Sequence, residues 1–312
     1  MITLRDLTKR YGRRGEKTAV AGLTLDIEPG RVTGFLGPNG AGKSTTMRLI
    51  TGLDAPTAGS ALVGGRQYAA LRHPLREVGA LLDTRDAHPG RSARAHLLGL
   101  ARSNGIPVRR VAELLDRVGL EAVAGRRVGT FSLGMRQRLG IAGALLGDPP
   151  VLLFDEPVNG LDPDGVRWVR GLVRSLAAEG RTVFLSSHLM SEMEDTADHL
   201  VVIGRGRLIA DAPIGEVIAG SAHNAVVVRS PGWAELAGLL ERAGMTVERE
   251  SGAAPGGPEG LVVVGGTPAE IGELAFRHGI AVHGLSLRQA SLEQAYMELT
   301  TESIEYGERD RI

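Results

Sequence analysis

Nine residues at 37–45, GPNGAGKST, have the pattern of a phosphate-binding loop. The pattern G-x-x-x-x-G-K-[ST] is complete, and it stands between an apolar strand-like run, VTGFL, and a helix-like run, STTMRLITGL, which is the context that such a loop requires. Its glycines allow backbone N–H groups to face phosphate oxygens, and the positive end of the helix adds to the attraction. A fortuitous glycine-rich turn is the alternative, and the complete motif in this context argues against it.

The loop predicts contacts with a nucleoside triphosphate and Mg²⁺. We expect Lys43 to reach the β- and γ-phosphates and Ser44 to bind Mg²⁺. The other residues predicted to contact the nucleotide are Gly37, Pro38, Asn39, Gly40, Ala41, Gly42 and Thr45.

A second run, VLLFDEP at 151–157, ends an apolar strand on two carboxylates. Hydrolysis of a triphosphate needs a further ligand for Mg²⁺ and a group that polarises the attacking water. We predict the metal role for Asp155 and the catalytic role for Glu156. Taken alone, such a pair is better explained as solvated charge at a strand end, but the phosphate-binding loop upstream favours catalysis.

The elements that must position these residues follow from the hydrophobic pattern. Apolar runs alternate with helical patterns from residue 2 to about residue 208, which predicts an α/β fold around a parallel sheet buried on both faces. From 92 to 147 the pattern is helical only, which predicts a helical insert. Beyond a break near 211–224, two strand–helix–strand units predict a small α+β domain, and the Gly/Pro-rich segment 251–260 predicts a hairpin or solvent loop.

Composition excludes several classes of function. The chain has 312 residues, enough for two domains, and a formal net charge of zero, which gives no general attraction to nucleic acid. The absence of cysteine excludes disulfides and thiolate metal sites. The N-terminal MITLRDLTKRYG carries charges where a signal peptide needs an apolar core, and no apolar run approaches the ~20 residues of a membrane-spanning helix. We expect a soluble protein, and these observations leave docking onto a membrane partner open.

Together the two motifs resemble those of the nucleotide-binding subunit of ATP-binding cassette (ABC) transporters, over about residues 2–216. The single cassette, the run SLGMRQRL and the small C-terminal domain ending in ASLEQAYMEL resemble the bacterial drug- or antibiotic-export type. The resemblance implies a P-loop ATPase core at 1–216 with a helical subdomain at about 88–147, and a C-terminal α+β accessory domain at 222–312. It also implies ATP and Mg²⁺ as cofactors, and ATP hydrolysis coupled to transport.

Further positions match the family one at a time. Tyr11, in KRYG, matches an aromatic residue that stacks on adenine, and NGLD at 159–162 matches a loop that contacts the opposing subunit. His188, in LSSHLMSEME, matches the switch histidine that touches the γ-phosphate, so the resemblance implies a catalytic role for it. Taken singly, Tyr11 and His188 are also explained as a packed aromatic and a structural histidine.

The sequence departs from the family in two places. The glutamine that normally ends the strand before the helical insert is replaced by Asp83, for which we predict a metal-side role. The signature Leu-Ser-Gly-Gly-Gln reads FSLGM at 131–135. Ser132 and Gly134 keep the hydroxyl and the small residue that a helix N-terminus needs beside a phosphate.

By resemblance, Ser132 and Gly134 complete the ATP site of a second subunit, so that two subunits enclose two ATP molecules. The implied partners are a second copy of this chain, or another ATPase subunit, together with a separate transmembrane permease and no nucleic acid. The implied location is the cytoplasmic face of the cell membrane. The alternative is a soluble ABC ATPase acting on ribosomes or DNA, but the sequence has no second cassette, no long coiled-coil insertion and no net charge.

Overall fold

The structure is a computed structural model that describes residues 1–12, 16–83, 87–250 and 260–309, with residues 301–309 described by their backbone only. The chain divides into two compact units, 1–213 and 214–312. This division lies close to the predicted domain limits of 1–216 and 222–312, which remain predictions. The loop predicted at 251–260 falls outside the described residues, except for its last position.

The first unit contains a mixed set of strands and helices. Its strands are β1 Ile2–Tyr11, β2 Lys17–Ile27, β3 Val32–Leu36, β4 Ala58–Val63, β5 Val78–Leu81, β6 Val151–Asp155, β7 Thr182–Ser186, β8 His199–Gly204 and β9 Arg207–Pro213. Its helices are α1 Lys43–Ile50, α2 Pro74–Glu77, α3 Ala93–Ser103, α4 Arg109–Arg117, α5 Leu133–Ala144, α6 Pro163–Ala178 and α7 Met190–Thr196.

The central sheet of this unit has the strand order β5-β6-β7-β3-β8-β9. The first five strands in that order are parallel, and β9 runs antiparallel to β8. Strands β3, β7 and β8 are buried along nearly their whole length, as expected for parallel strands covered on both faces. The α/β fold predicted from the apolar runs is confirmed. A separate antiparallel sheet has the order β2-β1-β4.

The core of this unit is centred on two aromatic rings from neighbouring strands. Phe35 of β3 and Phe184 of β7 are both fully buried, and their ring centroids lie 4.8 Å apart with the planes tilted by 33°. Such tilted packing adds to the free energy gained by removing the rings from water. Because β3 leads directly into loop 37–42, this packing holds the strand that presents the loop.

The second unit is an α+β structure, as the pattern predicts. Its elements are α8 Ile214–Ala219, β10 Ala225–Arg229, α9 Trp233–Arg242, β11 Thr246–Arg249, β12 Gly260–Val264, α10 Pro268–Arg277, β13 Gly284–Arg288 and α11 Leu292–Arg309. The strands pair antiparallel in the order β11-β12-β10-β13. Apolar side chains of α9 and α10, including Leu236, Leu240 and Ile271, pack with Val226 and Val228 of the sheet.

The described part of the chain contains no helix that is both long enough and apolar enough to cross a membrane.

We expect Phe184→Ala to lower the free energy of unfolding of the first unit by about 3–5 kcal/mol, because it removes a fully buried ring and leaves a cavity beside Phe35. Denaturant unfolding followed by circular dichroism measures this change. Phe276→Ala is the matched control, because that ring is 86% exposed and its loss should change stability by less than about 0.5 kcal/mol. Equal losses in both variants would contradict the assignment of the core.

Candidate functional site

The phosphate-binding loop lies between β3 and α1, and two of its glycines are required by close contacts. At Gly42 the backbone φ is +110°, and an added Cβ would overlap the carbonyl oxygen of Ala19. At Gly37 a Cβ would lie 2.5 Å from the carbonyl oxygen of Ile203. A side chain at either position would push the loop away from the strands beneath it. The tip of the loop, residues 38–40, is exposed.

Lys43, the first residue of α1, is 8% exposed, and its Nζ lies 2.6 Å from the carbonyl oxygen of Gly37 and 3.5 Å from that of Pro38. None of the ion pairs found among the described residues involves Lys43. A buried ammonium group that is held only by carbonyl dipoles has an uncompensated charge. The site therefore suits an anion, and the N-terminus of α1 favours the same charge. On the first turn of this helix, Ser44 is exposed and Thr45 is half-buried.

Tyr11 lies at the end of β1, near the first turn of α1. Its hydroxyl donates to Asp54 Oδ2 at 3.1 Å, and Asp54 also accepts from Arg48 Nε at 2.8 Å. Burial, followed by the Asp54 carboxylate, raises the pKa of the Tyr11 hydroxyl, while the hydroxyl of Thr45 acts in the opposite direction. The ring is 39% exposed, with Lys9 Nζ 5.0 Å from its centroid. The structure therefore brings Tyr11 next to the loop.

Asp155 ends β6 and Glu156 follows it, and both contact Ser186. The Ser186 hydroxyl donates to Asp155 Oδ1 at 2.5 Å and accepts from the backbone N–H of Glu156 at 3.0 Å. Ser186 pairs with Asp155 on one side and with Phe35 on the other. Because neighbouring strands are about 4.8 Å apart, Asp155 and the start of the phosphate-binding loop lie about 10 Å apart on one edge of the sheet.

Glu156 has an unusual backbone conformation and a direct contact with His188. Its φ is +52°, in the left-handed region that non-glycine residues seldom adopt. His188 Nδ1 lies 2.5 Å from Glu156 Oε2, and the side chains are 49% and 25% exposed. The two residues predicted to be catalytic are thus in hydrogen-bond contact, and both remain accessible to water.

The signature residues begin a different helix. Ser132 is the N-cap of α5, and its Oγ accepts from the backbone N–H of Met135 at 3.2 Å. Ser132 is exposed and Gly134 is half-buried. Within the described residues no hydrogen bond links either of them to loop 37–45, so the structure does not bring them into the site formed by their own phosphate-binding loop.

Asp83 is exposed and lies two residues beyond the end of β5. In the parallel register, Leu81 pairs with Phe154, so Asp83 follows a strand that ends beside the strand bearing Asp155. It also lines a cavity of about 250 Å³ together with His96 and Arg136. Burial, followed by the charge of Arg91, lowers the pKa of His96. Among the described residues, no cluster of three or more His, Asp or Glu side chains is placed to hold a metal ion.

Two residues of the site are not predicted from the sequence. Ser186 contacts the Asp155 carboxylate and the backbone N–H of Glu156, and the only sign of it in the sequence is a serine at the end of an otherwise apolar strand, TVFLS. Gln137 is 1% exposed on α5, where its Nε2 donates to the carbonyl oxygen of Glu156 at 2.8 Å. Nothing in the run RQR distinguishes this buried glutamine from its partly exposed neighbours.

Comparison with known proteins identifies the family. A family model described as ABC transporter matches residues 20–159, and one described as a domain of unknown function (DUF8746) matches residues 224–293. The bacitracin transport ATP-binding protein BcrA of Bacillus licheniformis is 42% identical over 216 residues, which cover 68% of this chain and 70% of the relative. The chain belongs to the ABC transporter ATP-binding proteins.

A second relative and a solved structure of the family agree with this ABC assignment. The lantibiotic transport ATP-binding protein SrtF of Streptococcus pyogenes is 38% identical over 211 residues, 68% of this chain and 90% of the relative. A dimeric post-hydrolysis state of the ATP-binding cassette MJ0796, bound to ADP and Pi, is 26% identical with a TM-score of 0.62, covering 68% of this chain and 98% of the other.

This ABC protein is therefore an ATPase and the ATP-binding subunit of a transporter. The predicted P-loop ATPase fold is confirmed. The names of the relatives favour transport over the alternative action on ribosomes or DNA.

We expect Ser186→Ala to lower kcat for ATP hydrolysis, because Asp155 loses a donor and the Glu156 N–H loses its acceptor. A steady-state phosphate-release assay measures this effect. Ser230→Ala is the matched control: Ser230 is also fully buried, donates to the carbonyl of Ala281 and accepts from the N–H of Gly232, but it lies in the second unit. An unchanged kcat in Ser186→Ala would contradict the ordering role.

Proposed function

We propose that this subunit binds ATP on loop 37–45 and hydrolyses it with Glu156 as the group that polarises the attacking water. The observation that carries this proposal is the contact between Glu156 and His188 on the sheet edge that also presents the loop. A carboxylate with one oxygen held by an imidazole keeps the other oxygen available to a water molecule. His188 orients Glu156 and faces the γ-phosphate.

Lys43 is the residue we assign to the β- and γ-phosphates. Its buried ammonium group exchanges the carbonyl oxygens of Gly37 and Pro38 for phosphate oxygens, which compensates its charge. Tyr11 stacks on the adenine through its open face. The backbone N–H groups of residues 37–45 contact the phosphates.

The donors near the loop fit Mg²⁺. A serine hydroxyl and a carboxylate are hard oxygen ligands, and Mg²⁺ is commonly held by one or two protein oxygens together with substrate phosphates. We assign Ser44 and Asp155 to it, with Ser186 holding the Asp155 carboxylate in place. Bound Mg²⁺ would neutralise charge on the β- and γ-phosphates. We assign Asp83 to the same side of the site, because it follows β5, the strand paired with the one that ends in Asp155.

We infer that two copies of the chain enclose two ATP molecules. The exposed N-terminus of α5, with the Ser132 hydroxyl and Gly134, is a suitable surface for a phosphate, and in the part of the chain that the structure describes no hydrogen bond joins it to the loop of its own chain. The solved relative is described as dimeric. An isologous dimer would place each α5 against the ATP of the other subunit.

We also propose that the dimer lies on the cytoplasmic face of the membrane and drives export through a separate transmembrane permease. Support comes from relatives named for bacitracin transport, lantibiotic transport and Nod factor export. Residues 1–216 would form the ATPase domain, with the helices of 88–147 as the subdomain that presents α5, and 222–312 would form an accessory domain.

Mixing two inactive variants tests the shared site. Lys43→Ala and Ser132→Arg should each abolish hydrolysis in a homodimer, because every site then carries one defect. In a mixed dimer one site carries both defects and the other carries none, so we expect mixing to restore hydrolysis, measured by phosphate release. Equal activity before and after mixing would contradict the shared site, and normal activity of Ser132→Arg alone would remove Ser132 from it.

Purification from detergent-extracted membranes tests the transporter assignment. We expect the tagged full chain to carry an integral membrane protein with it, identified by mass spectrometry, and the Lys43→Ala chain to do the same, because docking does not need ATP. Recovery of ribosomes or DNA in place of a membrane protein would contradict the proposal.

A further inference from the structure

Gln137 is a buried polar residue that folding stability does not explain. Its Nε2 donates to the carbonyl oxygen of Glu156 at 2.8 Å, but its Oε1 is buried and has no partner among the described residues. An unsatisfied buried oxygen costs folding free energy. The Glu156 carbonyl also accepts from the N–H of Asn159 at 3.2 Å, so it would stay paired without Gln137. An apolar side chain of similar length would serve the fold at least as well.

The start of α5 packs on the loop that runs from Glu156 to Asp162, which begins with the residue that Gln137 contacts. Leu133 fills the space beside Gly160, where the side chain would overlap any added Cβ. Gly134 faces Leu161, whose Cδ2 would lie 3.1 Å from an added Cβ. Leu133 stands at a signature position where the family usually has glycine, and glycine could not make this contact. Helix α5 and the loop are therefore in direct contact at both Leu133 and Gln137.

The backbone of Glu156 is held from both sides. Its N–H donates to Ser186 of β7 at 3.0 Å, and its carbonyl accepts from Gln137 of α5 at 2.8 Å. With a φ of +52°, this conformation persists because its surroundings hold it. A shift of α5 would therefore move the carbonyl of Glu156 while Ser186 keeps its N–H in place. The peptide backbone would then rotate and change the direction of the Glu156 side chain.

We propose that Gln137 is a positioning residue that couples the two ATP sites of the dimer. When α5 contacts the ATP of the other site, its position changes, and Gln137 passes that change on to the Glu156 of its own chain. This inference rests on the proposed function, in which Ser132 and Gly134 contact that ATP and Glu156 acts on water. Each ATP would thus align the catalytic carboxylate of the opposite site.

The test compares Gln137→Met with Arg138→Met in the full-length chain. Gln137→Met keeps the length and burial of the side chain but removes the donor, so we expect kcat to fall by about tenfold to a hundredfold while KM for ATP and the thermal midpoint stay unchanged. Arg138 also donates to a backbone carbonyl, that of Val118 at 3.1 Å, and packs on the Trp168 ring. Arg138→Met should lower the thermal midpoint and leave kcat unchanged.

A second measurement separates positioning from binding. In a Glu156→Gln background, which should retain ATP in a stable dimer, adding Gln137→Met should leave that dimer intact in size-exclusion chromatography with light scattering. A normal kcat in Gln137→Met would overturn the inference. So would a loss of kcat accompanied by an equal loss of ATP affinity or of the dimer, because that result describes a packing role.

A replacement variant and a control allow the result to be interpreted. If Gln137→Met does not fold, Gln137→Leu replaces it with the same expectations. A Glu156→Gln chain that hydrolyses ATP at the normal rate would refute the proposed role of Glu156 itself, and this failure is distinguishable from that of Gln137.

Discussion

The pairing of β7 with both β6 and β3 is the constraint on which the site depends. One row of this sheet contains Phe35, Ser186 and Asp155, so the strand leading to the loop and the strand ending in carboxylates finish at the same level. Parallel strands of this kind are found almost only where both faces of the sheet are covered. Phe35, one ring of the tilted Phe35–Phe184 pair, lies two residues before Gly37, so the core holds the strand from which the loop begins.

The features predictable from the sequence were those with a local cause. The phosphate-binding loop has a pattern that only one backbone path satisfies, and the apolar runs identify the buried strands. Ser186 and Gln137 were not predictable, because their importance comes from neighbours 30 and 19 positions away in the sequence. The left-handed φ of Glu156 was likewise hidden, since no glycine marks the position.

The altered signature has a physical explanation in the contacts of its own chain. Ser132 keeps the helix cap, and Gly134 keeps the small residue beside a neighbouring loop. Leu133 replaces a glycine but points towards Gly160, where the absence of a side chain leaves room for it. The larger residue at the start of α5 is thus accommodated by Gly160 in the neighbouring loop. The exposed Ser132 hydroxyl at the N-cap is retained.

The hydrogen bond from Lys43 to the carbonyl of Gly37 has a kinetic consequence. The ammonium group links the first residue of α1 to the residue that follows β3, so a contact within the chain itself stabilises the curved shape of the loop. A nucleotide that enters a preformed loop does not wait for the chain to order, and little conformational entropy is lost on binding. Its association rate should then be limited by diffusion and electrostatic steering.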